Sequence, residues 1–123
     1  SENMELFKCL KCNNIIELTN GENNNITCCN ELMQKIEPNI DGDEEKHLPS
    51  IMRNGKMVFV SVGEAMHPMD EDHYIEYIAC EYPDQFIKQK FNPGEEPVAS
   101  FDYEPGMIIY TYCNKHGLWK KEL

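Results

Sequence analysis

The grouping of its cysteines constrains this chain more than any other feature. Four of the six cysteines in the 123 residues form the pairs Cys9/Cys12 and Cys28/Cys29. Residues 5–37 contain too little apolar material for a core, and segments below about 40 residues usually need a metal or disulfides to fold. Cysteines grouped as C-x-x-C and C-C indicate metal ligands in a reducing compartment. The segment is therefore predicted to be a small domain held together by one metal ion.

Thiolates favour zinc and iron, and four of them around one ion make a closed tetrahedral site. Adjacent cysteines are unusual for a zinc ribbon, in which both ligand pairs normally come from C-x-x-C knuckles. The spacing favours iron over zinc slightly, and a structural zinc site without a redox role is the alternative.

A hairpin is expected between the two cysteine pairs. Residues 15–18 and 26–27 would be joined through Asn20-Gly21, a dipeptide that suits a type I′ turn. Residues 38–44 then form a polar, acidic segment with turn formers and no periodicity, which is typical of a linker. The predicted boundary therefore separates a domain at residues 1–37 from a second domain at residues 38–123.

From Lys56 onward, apolar residues recur with a period of two rather than 3.6. Short runs rich in β-branched and aromatic residues are separated by Pro, Gly, Asn and Asp, which favour turns. The predicted strands cover residues 57–62, 74–80, 85–91, 98–103 and 107–112. We predict an all-β chain whose second domain is an immunoglobulin-like β-sandwich.

Charge and hydropathy exclude several classes of partner. A formal net charge of -11 makes nucleic acid and anionic membrane surfaces poor partners. No stretch reaches the roughly 18 apolar residues of a membrane span. The segment that begins at Ser1 lacks the basic and apolar regions of a signal peptide. We therefore expect a soluble cytoplasmic protein.

The second group of candidate ligands contains all four histidines of the chain and one cysteine. A lone histidine is more often a surface or core residue than a ligand. Cys113-x-x-His116 is different, because a thiolate and an imidazole on one tight turn can reach the same ion. Imidazoles suit iron, copper, nickel and zinc, and a single thiolate pushes electron density onto the metal. Five ligands on an ion that prefers six leave one position open for substrate. The candidates are His47, His67, His73, Cys113 and His116.

Nearly the whole chain resembles the desulfoferrodoxin family, the superoxide reductases with two iron centres. The resemblance is carried by the two cysteine pairs together with E-K-H-x-P, H-P-M-x-x-x-H-x-I-E and C-N-x-H-G-x-W. It implies a desulforedoxin-like N-terminal domain with a rubredoxin-type iron, followed by an immunoglobulin-like sandwich with a non-haem iron. The implied ligands of the first iron are Cys9, Cys12, Cys28 and Cys29. Those of the second iron are His47, His67, His73 and His116 equatorially and Cys113 axially.

The resemblance also implies an activity. Superoxide would be reduced by one electron to hydrogen peroxide without release of oxygen, a rubredoxin-like protein would restore the ferrous iron, and the chain would form a homodimer. Glu45 would occupy the sixth position of the oxidised iron, and Lys46 would guide superoxide to the site. The alternative for both residues is an ordinary solvated side chain. Cys80 has no place in either centre and is expected to be a small buried residue on a strand.

Three other functions fit parts of the sequence. An iron electron-transfer protein would use the same ligands but has little use for an open position. A zinc-stabilised binding module explains the first four cysteines and leaves the histidines and Cys113 unexplained. A cupin-type enzyme shares the β class, but its H-x-H pairing is absent, since His67 and His73 are six residues apart.

Overall fold

The structure is a computed structural model that describes residues 4–22, 25–40, 47–63 and 67–123. Every regular element in these ranges is a β-strand, which confirms the predicted all-β class. The chain divides into two compact units, Ser1–Glu37 and Pro38–Leu123. Within the described ranges, no helix combines the length and apolar character needed to span a membrane.

The first unit is built from very short strands. They are β1 (Glu5–Lys8), β2 (Ile15–Leu18), β3 (Thr27–Cys28), β4 (Glu31–Leu32) and β5 (Gln34–Ile36). One sheet has the order β2-β1-β5, and β3 pairs with β4 alone. Among its described residues, Phe7, Cys9 and Met33 form a buried apolar cluster with three partly buried side chains packed against it, and Leu6 is also buried. A core of this size cannot stabilise a folded unit by apolar burial alone.

The hairpin expected through Asn20-Gly21 is wrong. Strand β2 pairs with β1, and β3 pairs with β4 instead. Two consecutive positive φ angles, as in a type I′ turn, occur at Cys29 and Asn30, with values of 53° and 63°. The prediction failed because the apolar strand β1, which precedes the first cysteine pair, is the partner that β2 packs beside.

The second unit is a sandwich of two antiparallel sheets. Its strands are β6 (Pro49–Asn54), β7 (Met57–Val62), β8 (Ile75–Glu81), β9 (Phe86–Lys90), β10 (Ala99–Asp102), β11 (Ile108–Cys113) and β12 (Gly117–Glu122). The sheet orders are β10-β7-β6 and β12-β11-β8-β9, which confirms the predicted sandwich. Strands β6 and β12 were not predicted from the sequence. Both are edge strands, where an initial proline and charged residues weaken the sequence pattern.

The period-two pattern of β7 shows how the sheets meet. Val58, Val60 and Val62 are buried, and Phe59 and Ser61 between them are exposed, because successive side chains of a strand point to opposite faces. The valines belong to one core cluster with residues of the other sheet, among them Ile78, Cys80 and Ile109.

Antiparallel pairing places strand ends of the second unit side by side. The start of β6 lies beside the end of β7, where Pro49 pairs with Val62. The end of β11 lies beside the starts of β8 and β12, because Cys113 pairs with both Ile75 and Gly117. The segments that carry the candidate histidines adjoin these strand ends.

Two isoleucines on neighbouring strands are buried to different extents and should therefore contribute very differently to the free energy of unfolding. Ile78 on β8 is 0% exposed, whereas Ile87 on β9 is 41% exposed. Ile78→Ala should lower the free energy of unfolding by about 2–5 kcal/mol, and Ile87→Ala by about 1 kcal/mol or less. Urea denaturation followed by fluorescence of Trp119, the single tryptophan, measures the second unit. Equal losses for the two variants would contradict the packing described for β8.

Candidate metal centres

The first centre is made of four cysteines. The sulfur atoms of Cys9, Cys12, Cys28 and Cys29 all lie within 4.8 Å of one another. The Sγ atom of Cys28 is 3.6 Å from that of Cys12 and 3.9 Å from that of Cys29. Disulfide sulfurs are about 2.05 Å apart, whereas two thiolates at tetrahedral positions, each about 2.3 Å from one ion, are roughly 3.8 Å apart. The cysteines are free and spaced for one tetrahedral ion.

A tight loop after β1 presents the first cysteine pair. The backbone N–H of Cys9 donates to the carbonyl of Asn14, and the N–H of Asn13 donates to the carbonyl of Cys9, both at 2.9 Å. The amide of Asn14 also lies 3.7 Å from the sulfur of Cys28. The loop therefore holds Cys9 and Cys12 on one turn and contacts the second pair.

Hydrogen bonds within this cluster shift the pKa values of its thiols in opposite directions. The backbone N–H of Cys12 lowers the pKa of Cys9 to about 7. Hydrogen bonding with the side chain of Cys12 raises the pKa of Cys28 and raises that of Cys29 to about 12. Cys28 and Cys29 therefore stay protonated where they hydrogen-bond to a neighbouring sulfur. A bound cation would favour the thiolate form of these cysteines.

The second centre brings together all five ligands predicted for it. One ligand atom from each of His47, His67, His73, Cys113 and His116 lies within 4.8 Å of every other. The imidazoles form a closed ring, with centroid distances of 4.9 Å from His47 to His67, 4.8 Å to His73, 4.9 Å to His116 and 4.4 Å back to His47. Neighbouring rings are inclined by 59° to 81°, as four imidazoles around one ion would be.

The surroundings of the imidazole nitrogen atoms show whether a metal ion fits the second centre. The Nδ1 atom of His67 is 2.7 Å from the carbonyl oxygen of Pro68, so Nδ1 carries the proton and Nε2 is left as an acceptor. The Nε2 atoms of His67 and His73 are buried and have no hydrogen-bond partner among the described residues. The Nδ1 atom of His116 lies 3.7 Å from the sulfur of Cys113. Buried nitrogen atoms without partners are costly, and a metal ion would satisfy them.

Burial also sets the protonation of the donors. It lowers the pKa of His67 and His73, so both rings are neutral at neutral pH and can bind a metal. Burial raises the pKa of Cys113, an effect that the backbone N–H groups of His116 and Lys115 partly oppose. A cation in the cluster would favour the thiolate that burial alone disfavours.

Two residues that sequence analysis did not single out hold His47 in position. The hydroxyl of Thr111 donates to the carbonyl of His47 at 3.0 Å. The indole of Trp119 stacks on the His47 ring at 5.3 Å, inclined by 16°, and its N–H donates to the carbonyl of His116 at 3.1 Å. Thr111 and Trp119 are direct cross-strand partners. Trp119 was visible in C-N-x-H-G-x-W, but its partner depends on the register of β11 and β12.

The other predicted residues fall outside both clusters. Glu45 and Lys46 lie outside the described residues, so their roles stay predictions. Cys80 is 0% exposed within the apolar core of the second unit. This confirms the expectation of a small buried residue on a strand.

Comparison with known proteins gives matches along almost the whole chain. The family profile described as "Desulfoferrodoxin, N-terminal domain" matches residues 1–36, and the profile described as "Desulfoferrodoxin" matches residues 39–122. A desulfoferrodoxin homolog of Archaeoglobus fulgidus is 38% identical over 122 residues, which cover 98% of each chain. A superoxide reductase of Pyrococcus horikoshii is 31% identical and covers 68% of this chain and 90% of its own.

Among solved structures, the superoxide reductase of Treponema pallidum has the same fold. It superimposes with a TM-score of 0.72 at 22% identity over 97% of each chain. The cluster of four cysteines and the cluster of four histidines with one cysteine match the two iron sites of desulfoferrodoxins, Fe(Cys)4 and Fe(His)4Cys. The chain therefore belongs to the desulfoferrodoxin family.

Proposed function

We propose that this chain is a superoxide reductase that converts superoxide, one electron and two protons into hydrogen peroxide at the histidine and cysteine centre. The observation that carries the proposal is the set of five donors around one point, four imidazoles and one thiolate. An ion that prefers six ligands keeps one position for a small substrate. A closed four-thiolate site has no such position.

The relatives support the same reaction. The Pyrococcus horikoshii relative is named a superoxide reductase, and so is the Treponema pallidum protein that shares the fold. Several relatives are named only desulfoferrodoxin. Membership of this family supports an oxidoreductase role, and the specific reduction of superoxide is the proposal.

An iron ion held by these five residues would supply the electron by cycling between its ferrous and ferric states. Imidazole binds a metal in its neutral form, so four imidazoles and the thiolate of Cys113 would give a ferrous centre a local charge of +1. That charge attracts an anion even though the whole chain carries -11, since charges beyond about 8–10 Å are screened at physiological salt. The carbonyl of Pro68 fixes the proton of His67 on Nδ1, which keeps the ring oriented.

Two alternative functions would use the same residues in other ways. An iron electron-transfer protein would cycle with a redox partner and leave superoxide untouched. A zinc-stabilised binding module would hold its metal without any redox change. We also propose that the two units are separate domains whose irons are bound independently, since the two ligand sets share no residue.

The deciding experiment measures superoxide consumption and peroxide formation by the iron-loaded chain with reduced rubredoxin, a one-electron carrier, as donor. The wild type should form one peroxide per superoxide consumed, because no oxygen is returned. Cys113→Ser should lose nearly all of this activity and the thiolate-to-iron absorption of the oxidised centre, while the spectrum of the four-cysteine iron remains. Loss of both spectra together would contradict independent domains.

Cys80→Ala is the matched control for Cys113→Ser. It removes a cysteine from a neighbouring strand of the same sheet that belongs to neither cluster, and activity per bound iron should stay near that of the wild type. Activity retained in Cys113→Ser would refute the assignment of the catalytic centre. A wild-type chain that carries iron and consumes no superoxide would favour electron transfer instead.

Lys46, next to His47 in the sequence, is proposed to guide superoxide to the centre. Lys46→Ala should lower the second-order rate constant with superoxide by up to roughly tenfold and weaken its dependence on ionic strength. The control is Lys56→Ala, which removes the same charge at the turn between β6 and β7, at the end of β6 away from His47. If the rate and its salt dependence are unchanged in Lys46→Ala, Lys46 is an ordinary surface lysine.

A further inference from the structure

We propose that Asn114 is a positioning residue that fastens the His73 ligand to the turn bearing Cys113 and His116. Its side-chain oxygen accepts a hydrogen bond from the backbone N–H of Tyr74 at 2.9 Å. Its side-chain amide donates to the backbone carbonyl of Asp72 at 3.1 Å. The proposal rests on the site assigned above and does not require that the site reduces superoxide.

These two hydrogen bonds flank His73. Asp72 and Tyr74 are the residues immediately before and after it, so a side chain that holds both of them holds the backbone of His73 between them. His73 also closes a four-residue turn, in which Asp70 and His73 exchange backbone hydrogen bonds at 3.0 and 3.2 Å. The turn fixes the local shape of the segment, and Asn114 fixes that segment against the neighbouring one.

The other end of this link is Cys113. Asn114 follows it directly and begins the turn from β11 to β12, in which His116 also lies. The hydrogen bonds span 40 and 42 residues of sequence, so they join parts of the chain that no local preference brings together. Moving one segment against the other would change the distance between His73 and the donors Cys113 and His116.

Asparagine has the chemistry that this position requires. A carboxamide offers a donor and an acceptor on one planar group, and here the acceptor faces an N–H while the donor faces a C=O. Aspartate has nearly the same shape and could still accept from Tyr74, but its carboxylate would repel the carbonyl of Asp72. Alanine would lose both hydrogen bonds.

A second contact between the same two segments supplies a control. The ammonium group of Lys115 lies 4.0 Å from a carboxylate oxygen of Asp72, and the two side chains are 51% and 83% exposed. Exposed ion pairs of this kind contribute little. If any contact between the two segments were enough to hold His73 in place, Lys115→Ala and Asn114→Ala would lower the Fe(II) affinity by similar factors.

The test uses the iron-loaded full chain and measures how tightly the histidine centre holds Fe(II) in competition with a chelator. Substitution of residues that orient metal ligands typically lowers metal affinity by about 10- to 100-fold. We expect a loss in that range for Asn114→Ala and a smaller loss for Asn114→Asp. Lys115→Ala should stay within about twofold of the wild type. The EPR signal of the oxidised histidine centre should change in Asn114→Ala and not in Lys115→Ala.

Hydrogen exchange measured by mass spectrometry separates positioning from general unfolding. The amide of Tyr74 should exchange faster in Asn114→Ala but remain protected in Asn114→Asp, which keeps the acceptor. The amide of Gly63, which donates to the carbonyl of Leu48 at 2.8 Å, serves as the reference and should be unaffected. The backbone N–H of Asn114 donates to the carbonyl of Tyr74 at 3.2 Å, a hydrogen bond that every variant can retain.

Three outcomes would overturn the proposal. One is an Fe(II) affinity of Asn114→Ala within twofold of the wild type. Another is unchanged exchange of the Tyr74 amide in that variant. Equal acceleration of exchange at the Tyr74 and Gly63 amides would mean that Asn114→Ala unfolds the domain generally, and the test then passes to Asn114→Asp. An Fe(II) affinity of Asn114→Asp equal to that of the wild type would be the third outcome. A chain that consumes no superoxide but shows these changes would leave the positioning role intact and remove only the proposed function.

Discussion

The metal centre of the second unit depends on the antiparallel pairing of β11 with its two neighbours. Because β8 and β12 both run opposite to β11, both begin where β11 ends. Cys113 therefore lies beside the start of the strand that follows His73 and beside the turn that carries His116. The same relation in the other sheet places the start of β6, just after His47, next to the end of β7. Antiparallel geometry thus brings together ligands from distant parts of the sequence, on the segments that adjoin these strand ends.

The two units are stabilised in different ways. The sandwich has an extended apolar core in which both sheets take part, so it can hold five ligands in place before a metal binds. Among its described residues the first unit buries only a few apolar side chains, namely Leu6, Phe7, Cys9 and Met33. Its cysteine cluster therefore has to supply much of its stability through the bound ion. The left-handed conformation at Cys29 and Asn30 shows how closely its backbone is adapted to that cluster, because it allows adjacent cysteines to face one point.

The sequence was most informative where chemistry is concentrated in rare residue types. Cysteines in pairs and four histidines predicted two ligand sets, and the structure brings the donor atoms of each set within 4.8 Å of one another. The sequence was less informative about which strands pair with each other. The hairpin expected through Asn20-Gly21 failed because β2 pairs with β1, a strand that lies before the first cysteine pair, and a turn motif does not encode which strand is the partner. Thr111 and Trp119 were missed because their common role appears only when the register of two strands is known.

The sequence by itself determined which side chains can bind metal, the β class of the second unit and the family to which the chain belongs. These features follow from the chemistry of the residues and from short-range periodicity, both of which can be read directly from the sequence. Only the tertiary structure decided which imidazoles are neighbours, which nitrogen of His67 is left to bind, and which residues hold the ligands in place. Those features depend on strand register and on hydrogen bonds between segments some 40 residues apart, and no local pattern encodes a contact of that length.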